Sequence, residues 1–258
     1  MAGTVLYGRD GHVATITYNR PDARNAINAE LRQDLNAAWE RFRDDEDAWV
    51  GIVTGAGDSF CAGADMRDPG GSAGSWPGSF WEIPTINSYE SGLELFKPTI
   101  AAVNGYCLGY GLTLVTRCDF VIAADDAQFG FPEVRLGVPT IVGALRLPDR
   151  VGWSNAMELL LTGDRVDAER AREMGLAWKV VPRAELMSEA KDLAARLLRA
   201  APLAARATKE VAARGRHLPW VEAVRFGETM RRVAAATEDA AEGLAAARER
   251  RPPTWRGR

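Results

Sequence analysis

Residues 105–119 read GYCLGYGLTLVTRCD. Glycines at 105, 109 and 111 bracket a short apolar run, and no acid appears before Asp119. The apolar residues 99–103 just ahead of it read as a strand, and the residues beyond Gly109 should open a helix. A strand that breaks into small residues before a helix leaves backbone N–H groups free, because the first helical turn has no internal acceptors. The stretch is built to bring backbone, not side chains, close to something.

Two other junctions share this character. Phe60-Cys61-Ala62-Gly63-Ala64-Asp65 places small residues after a strand, and Phe129-Gly130-Phe131-Pro132-Glu133 adds a carboxylate. Taken singly, each glycine serves a tight turn and Glu133 is a solvated loop acid. Taken together, two N–H donors from separate loops can converge on one oxygen that gains negative charge. Neither loop has a P-loop lysine, and Gly109-Tyr110-Gly111 is only a fragment of a dinucleotide fingerprint.

Outward from these junctions the chain alternates strands and helices. Residues 5–9 and 13–18 are predicted strands about the turn at Asp10-Gly11. Asn28 suits an N-cap, and Leu31, Leu35, Trp39 and Phe42 follow at helical spacing, with Trp39 in the core. Strands are expected over 49–54, 99–103, 120–123 and 176–181, and a helix over 85–96 before Pro98. This rhythm implies an α/β core. Residues 67–79 are rich in Gly, Ser and Pro and read as a long loop, of the kind that often forms a lid. Trp76 and Trp81, in and beside it, suit either a cover over an apolar ligand chain or a subunit contact. After Pro182 the chain turns Ala/Arg/Glu-rich, with helices expected over 185–199, 202–214, 219–233 and 237–250. Pro202 and Pro219 suit first-turn positions. The expected division is a core with the site over 1–182 and a helical region over 183–258, packed on its own core or on a neighbouring subunit.

Composition narrows the function classes. The chain has 258 residues, 47% hydrophobic and 26% charged, an ordinary globular composition long enough for one large domain or a domain with an appendage. A net charge of −3 and a pI near 5.6 argue against a nucleic-acid footprint, although arginines cluster toward the C-terminus. No apolar run approaches the roughly 20 residues that span a bilayer. The N-terminus lacks the basic and apolar regions of a signal peptide, so a cytoplasmic location is expected. Cys61, Cys107 and Cys118 lack metal-ligand spacing and are expected reduced and buried. With His12 and His217 the only histidines, no His triad or metal site is expected.

In order and spacing, the motifs resemble the enoyl-CoA hydratase/isomerase, or crotonase, superfamily over almost the whole chain. Asn19-Arg20-Pro21 with Arg24-Asn25-Ala26 is similar to the family's entry motif. Ile52-Val53-Thr54-Gly55 with residues 60–65, the run 98–111, and residues 129–137 are similar to its following segments. Leu161-Thr162-Gly163, residues 168–171, Gly175-Leu176, Thr237-Glu238-Asp239 and the end at Trp255 continue the match. The resemblance implies a crotonase-like spiral of ββα units with a C-terminal helical region, assembled as a homotrimer or homohexamer. It implies an acyl-CoA thioester substrate, with coenzyme A as part of the substrate and no tightly bound cofactor. By motif, the N–H groups of Ala64 and Tyr110 would hold the thioester oxygen, with Glu133 and Thr113 at the two acid positions. Ala62, Asp65 and Met66 would line the adenine pocket, Arg24 and Arg250 would meet CoA phosphates, and Ala26, Gly109 and Trp255 would complete the substrate surface. A cation suits phosphate.

Three departures from the pattern bear on the reaction. Hydratases of the family carry two glutamates, and one of those positions is Thr113 here. A hydroxyl can hold water but is no base at neutral pH. One glutamate suffices to move a proton from C2 of a 3-enoyl thioester to C4, as the family's isomerases do, and Glu133 stands at that position. Asp68, Glu82 and Glu90 are candidates for a replacement acid in a hydratase. Tyr110 stands where a glycine is expected, and residues 136–144 form a run shorter by one. Decarboxylation, dehalogenation and C–C cleavage also occur on this scaffold. A non-catalytic acyl-CoA or RNA binder is the alternative outside catalysis.

Overall fold

The computed structural model describes residues 3–68 and 88–258. Most of the predicted lid loop, Trp76, Trp81, Glu82 and the start of the predicted helix at 85 lie outside the described residues. The main sheet has six strands in the order β1-β2-β3-β4-β6-β9. These are Val5–Asp10, Val13–Tyr18, Val50–Gly55, Thr99–Val103, Phe120–Ala124 and Lys179–Val181. Only the β1–β2 hairpin is antiparallel. A smaller sheet pairs β5 (Tyr106–Leu108) with β7 (Gln128–Gly130) and β8 (Arg165–Asp167).

The central strands β3 and β4 are buried almost throughout because both faces are covered. Alternate residues Val50, Ile52, Ile100 and Ala102 pack with Leu186, Ala190, Leu193 and Ala194 of α6 (Leu186–Leu197). Their neighbours Val53, Ala101 and Val103 belong to the larger core with α1 (Ala29–Asp44). α1 begins as predicted, with Asn28 Oδ1 accepting the Leu31 N–H at 3.0 Å. Leu31, Leu35, Trp39 and Phe42 form its buried face. At its other end Lys97, only 2% exposed, donates Nζ to the carbonyls of Phe42 and Asp45 at 2.7 and 2.6 Å. A cation is favourable at a helix C-terminus.

Two predicted elements differ. The described part of the helix expected over 85–96 is a turn followed by irregular chain. The Ser88 carbonyl collects the N–H groups of Ser91, Gly92 and Leu93, and Gly92 takes φ 144°, which ends any helix there. Local apolar spacing gave no warning of this tight turn. The strand expected over 176–181 is only Lys179–Val181. Gly175, at φ 84°, caps α5 (Ala168–Glu173), and Leu176 and Ala177 donate back to the Ala171 carbonyl. Leu176 and Ala177 are apolar because they are buried in the larger core beside this cap, not because they pair in a sheet.

Between β5 and β8 in the chain come α2 (Tyr110–Val115), α3 (Val142–Val151) and α4 (Trp153–Thr162). After α6 come α7 (Pro202–Gly215), α8 (Trp220–Ala235) and α9 (Glu238–Glu249). Pro202 opens α7 as predicted, whereas Pro219 is the N-cap of α8. Among the described residues, no helix is long and apolar enough to cross a membrane.

Candidate active site

The first loop is held by the Asn25 side chain, which is fully buried. Its Nδ2 donates to the carbonyls of Ala56 (2.9 Å) and Ser59 (2.6 Å), and its Oδ1 accepts the Arg20 N–H (2.8 Å). Arg24 and Asn25 both adopt positive φ to turn the chain inward. The Ala62 N–H then donates to Arg24, the Ile27 N–H to Gly63 and the Asp65 N–H to Ile27. The Ala64 N–H between them has no acceptor among the described residues.

The second loop lies backbone to backbone on the first. Asn104 Nδ2 donates to the Gly57 carbonyl at 2.9 Å, and the Phe60 N–H donates to the Asn104 carbonyl. Cys61 and Cys107 then form a parallel bridge through Cys61 N–H to Tyr106 and Leu108 N–H to Cys61. A side chain at Gly105 would put Cβ 2.0 Å from the Asp58 carbonyl oxygen. At Gly111 it would come within 2.7 Å of Cys61 Cβ, so α2 can dock on the first loop only through glycine. The loops touch again where the Cβ position of Gly63 lies 4.0 Å from Gly109 Cα. The next residue of each loop, Ala64 and Tyr110, carries a free N–H. Tyr110 opens α2, and its N–H also has no acceptor among the described residues.

Glu133 reaches the same place from the third junction. It lies on a short 3-10 turn, Pro132–Leu136, opened by the proline. Its Oε1 is 2.9 Å from the position a Cβ would occupy at Gly109, and its Oε2 is buried without a partner among the described residues. Burial pushes the Glu133 carboxyl above the usual carboxylate range. A carboxylate so placed is suited to exchanging a proton near neutral pH. The Thr113 hydroxyl, on α2, is 2.9 Å from the Cβ position of Gly143 at the start of α3. The three junctions therefore offer, among the described residues, backbone N–H groups, the Glu133 carboxylate and the Thr113 hydroxyl.

The sequence profile of enoyl-CoA hydratase/isomerase matches residues 8–258. The chain belongs to the enoyl-CoA hydratase/isomerase family. It is 39% identical over 268 aligned positions to carnitinyl-CoA dehydratase of Escherichia coli (strain K12), with 100% of each chain covered. It is 36% identical to (E)-benzylidenesuccinyl-CoA hydratase of Thauera aromatica, covering 95% of this chain and 96% of that one. The crystal structure of enoyl-CoA hydratase from Mycobacterium tuberculosis H37Rv matches with a TM-score of 0.90 at 36% identity, covering 100% of both chains. The crotonase-like α/β fold expected from the sequence is borne out.

The other residues singled out from sequence fall into two groups. Ala62, Ala64, Asp65, Met66, Gly109 and Tyr110 lie on the two loops, with Arg24 and Ala26 beside the first. Met66 is 72% exposed, and the exposed Arg24 guanidinium lies 5.5 Å from the Tyr106 ring centroid. The Asp65 carboxylate is already engaged by the Arg67 N–H at 3.1 Å and by Arg20 at 3.0 Å, which hold it below the usual carboxylate range. Arg250 and Trp255 are elsewhere. Arg250 caps α9, and Trp255 Nε1 donates to the Arg199 carbonyl. Among the described residues no hydrogen bond or ion pair joins either to the loops.

Sequence reading named Glu90 as a candidate acid but set neither it nor Arg32 against Tyr110. The Tyr110 ring lies under the Arg32 guanidinium at 4.8 Å, and its phenol stands beside the Glu90 carboxylate. Burial first, and Glu90 second, keep that phenol protonated. Glu90 is 4% exposed, and its Oε2 has no partner among the described residues. Arg32 sits on a helix face with no motif around it, so no sequence signal pointed to it.

Proposed function

We propose that the chain acts on an acyl-CoA thioester through an enolate, with the carbonyl oxygen received by the N–H groups of Ala64 and Tyr110. The single observation that carries this reading is the partly buried Glu133 carboxylate beside Gly109, whose Oε2 has no partner among the described residues. Negative charge on the thioester oxygen is worth most to stabilise where donors are fixed and water is scarce. Glu133 takes a proton from C2 of a 3-enoyl thioester and returns it at C4, giving the conjugated 2-enoyl thioester. Thr113, in place of a second acid, favours this single-carboxylate transfer over hydration. Coenzyme A arrives as part of the substrate, and no separate cofactor enters the reaction.

A paired assay tests this. One cuvette follows the appearance of conjugated enoyl absorbance from a 3-enoyl-CoA, and the other its loss from a 2-enoyl-CoA. Appearance without loss, abolished by Glu133→Gln, is the expected result. Rapid loss would overturn single-acid isomerisation.

Hydration is the second reading, and the buried Glu90 carboxylate beside Tyr110 favours it. Glu90 then shares proton handling with Glu133, and Glu90→Gln lowers loss of the 2-enoyl thioester as strongly as Glu133→Gln. Under the single-acid reading, Glu90→Gln leaves isomerisation within a few-fold of wild type.

The protein works as a homotrimer or homohexamer in this proposal. No residue of α8 is buried, and Trp220 and Val233 on it are 81% and 62% exposed. Apolar groups that far out are commonly covered by another subunit. Light scattering on the purified protein should give a mass three or six times that of one chain, and a monomer would contradict it.

A further inference from the structure

Of the two cations that the sequence set against coenzyme A phosphates, Arg24 stands beside the first loop and Arg250 caps α9. A different arginine joins Arg24. The guanidinium carbons of Arg24 and Arg165 lie 5.5 and 5.3 Å from the same Tyr106 ring centroid. Cation–π attraction holds each to the ring, while the two like charges repel each other.

The small sheet brings them together. Cys107, Phe129 and Val166 are buried in the core, so Tyr106, Gln128 and Arg165 share the outer face. Arg165 pairs across from Gly130, where a Cβ would lie 3.1 Å from Arg165 Cγ. Glycine at 130 leaves the Arg165 stem room to lie against β7 on its way to Tyr106. Arg165 Nη1 donates to Gln128 Oε1 at 3.3 Å, one strand short of the ring.

No carboxylate balances the pair. Among the described residues neither Arg24 nor Arg165 makes an ion pair, because the acids beside them are held by others. Arg20 holds Asp65 of the first loop, Arg135 holds Asp164, and Arg183 holds Asp126, whose Oδ1 accepts the Gly105 N–H. Asp167 accepts the Arg170 N–H as the cap of α5. Asp22, two residues before Arg24, forms no ion pair with it. Two guanidiniums left uncompensated on one ring suit a phosphate, which carries the charge to balance them and oxygens enough to accept from both.

The pair is hydrogen-bonded into the loops of the site. The Ala62 N–H donates to the Arg24 carbonyl, the Cys61 N–H to the Tyr106 carbonyl, and the Gly109 N–H to Gly130, the strand partner of Arg165. From Gly109, β5 runs back to Tyr106 over about 10 Å. The pantetheine arm of coenzyme A is longer than that when extended. Phosphates at its far end therefore reach the pair while the thioester oxygen is held at Ala64 and Tyr110.

We propose that Arg165, together with Arg24, binds the phosphates of coenzyme A, and that the Tyr106 ring holds both guanidiniums in place for them. The proposal rests on the acyl-CoA reading of the site and adds Arg165 and Tyr106 to its binding surface.

Titration calorimetry with one saturated acyl group, carried on coenzyme A or on pantetheine, tests it apart from the chemistry, since pantetheine has no phosphate. Arg165→Gln should weaken binding of the CoA thioester about 3–10-fold and leave the pantetheine thioester unchanged. The loss should shrink as added salt screens these exposed charges, and Arg165→Lys should recover most of it. Tyr106→Leu, which frees both guanidiniums, should also weaken the CoA thioester alone. An equal loss on both thioesters, or none on the CoA thioester, overturns the proposal. So does inorganic pyrophosphate that binds through Arg165 without displacing the CoA thioester, because the pair would then serve a separate phosphate. Binding of both thioesters that Arg165→Gln leaves intact removes this inference alone, whereas a wild type that binds neither removes the acyl-CoA reading with it.

Discussion

Gly109→Ala should separate the backbone's role from the carboxylate's. Gly109 has φ 52° and ψ −117°, a conformation that strains any residue with a side chain. That strain costs about 1–3 kcal/mol of stability. The new methyl would also start 2.9 Å from Glu133 Oε1, roughly 0.5 Å short of ordinary contact. Glu133 is the flexible partner, so its carboxylate moves and the loop does not. A misplacement near 1 Å commonly costs about 10²-fold in rate, so a shift of half that should lower kcat by about 10- to 100-fold. Gly11→Ala is the control. Gly11 has φ 54° with nothing within 4 Å of its Cβ position, so it should lose about 1–2 kcal/mol and no activity. The assay is kcat on the active enoyl thioester, with chemical denaturation run in parallel. If Gly109→Ala loses stability like Gly11→Ala yet keeps full kcat, Glu133 does not work where its side chain stands.

Further consequences follow from single residues. Glu133→Gln should lower kcat by about 10²–10⁴-fold. It should also change the pH dependence of stability. Because burial raises the folded-state pKa of Glu133, the folded protein holds this proton above the unfolded carboxylate pKa, and the wild type loses stability as pH rises through the folded pKa. The variant lacks that loss, so melting curves should show it gaining on wild type from acid toward neutral pH; a constant difference would refute the raised pKa. Lys97→Met removes both donors from the end of α1 and should cost about 2–4 kcal/mol, read by denaturation, with kcat unchanged. Asn25→Ala strips two carbonyls and one N–H of the first loop and should lower stability and kcat together, whereas loss of stability alone would mean that the loop holds its shape without it.

Much of this was legible in the sequence because it lies in local pattern. The helical spacing of Leu31, Leu35, Trp39 and Phe42, the Asn28 cap and the apolar central strands each reflect one face of one element. The three loop junctions were legible because only small residues let two backbones touch, as at Gly105 against Asp58. What escaped lies between elements distant in sequence. Glu90, Tyr110 and Arg32 meet from a turn, a short helix and the face of α1, and no spacing rule links them. The misread helix at 88–96 failed because apolar residues there are buried along an irregular segment after a tight turn at Ser88.

The most direct test of enolate formation is proton exchange at C2 of a saturated acyl-CoA in deuterated water, followed by NMR. It requires neither a double bond nor a decision between isomerisation and hydration. Wild type should exchange deuterium into C2, and Glu133→Gln should abolish the exchange while still binding the thioester. A wild-type protein that binds the thioester and leaves its C2 protons untouched would contradict an enolate held by Ala64 and Tyr110.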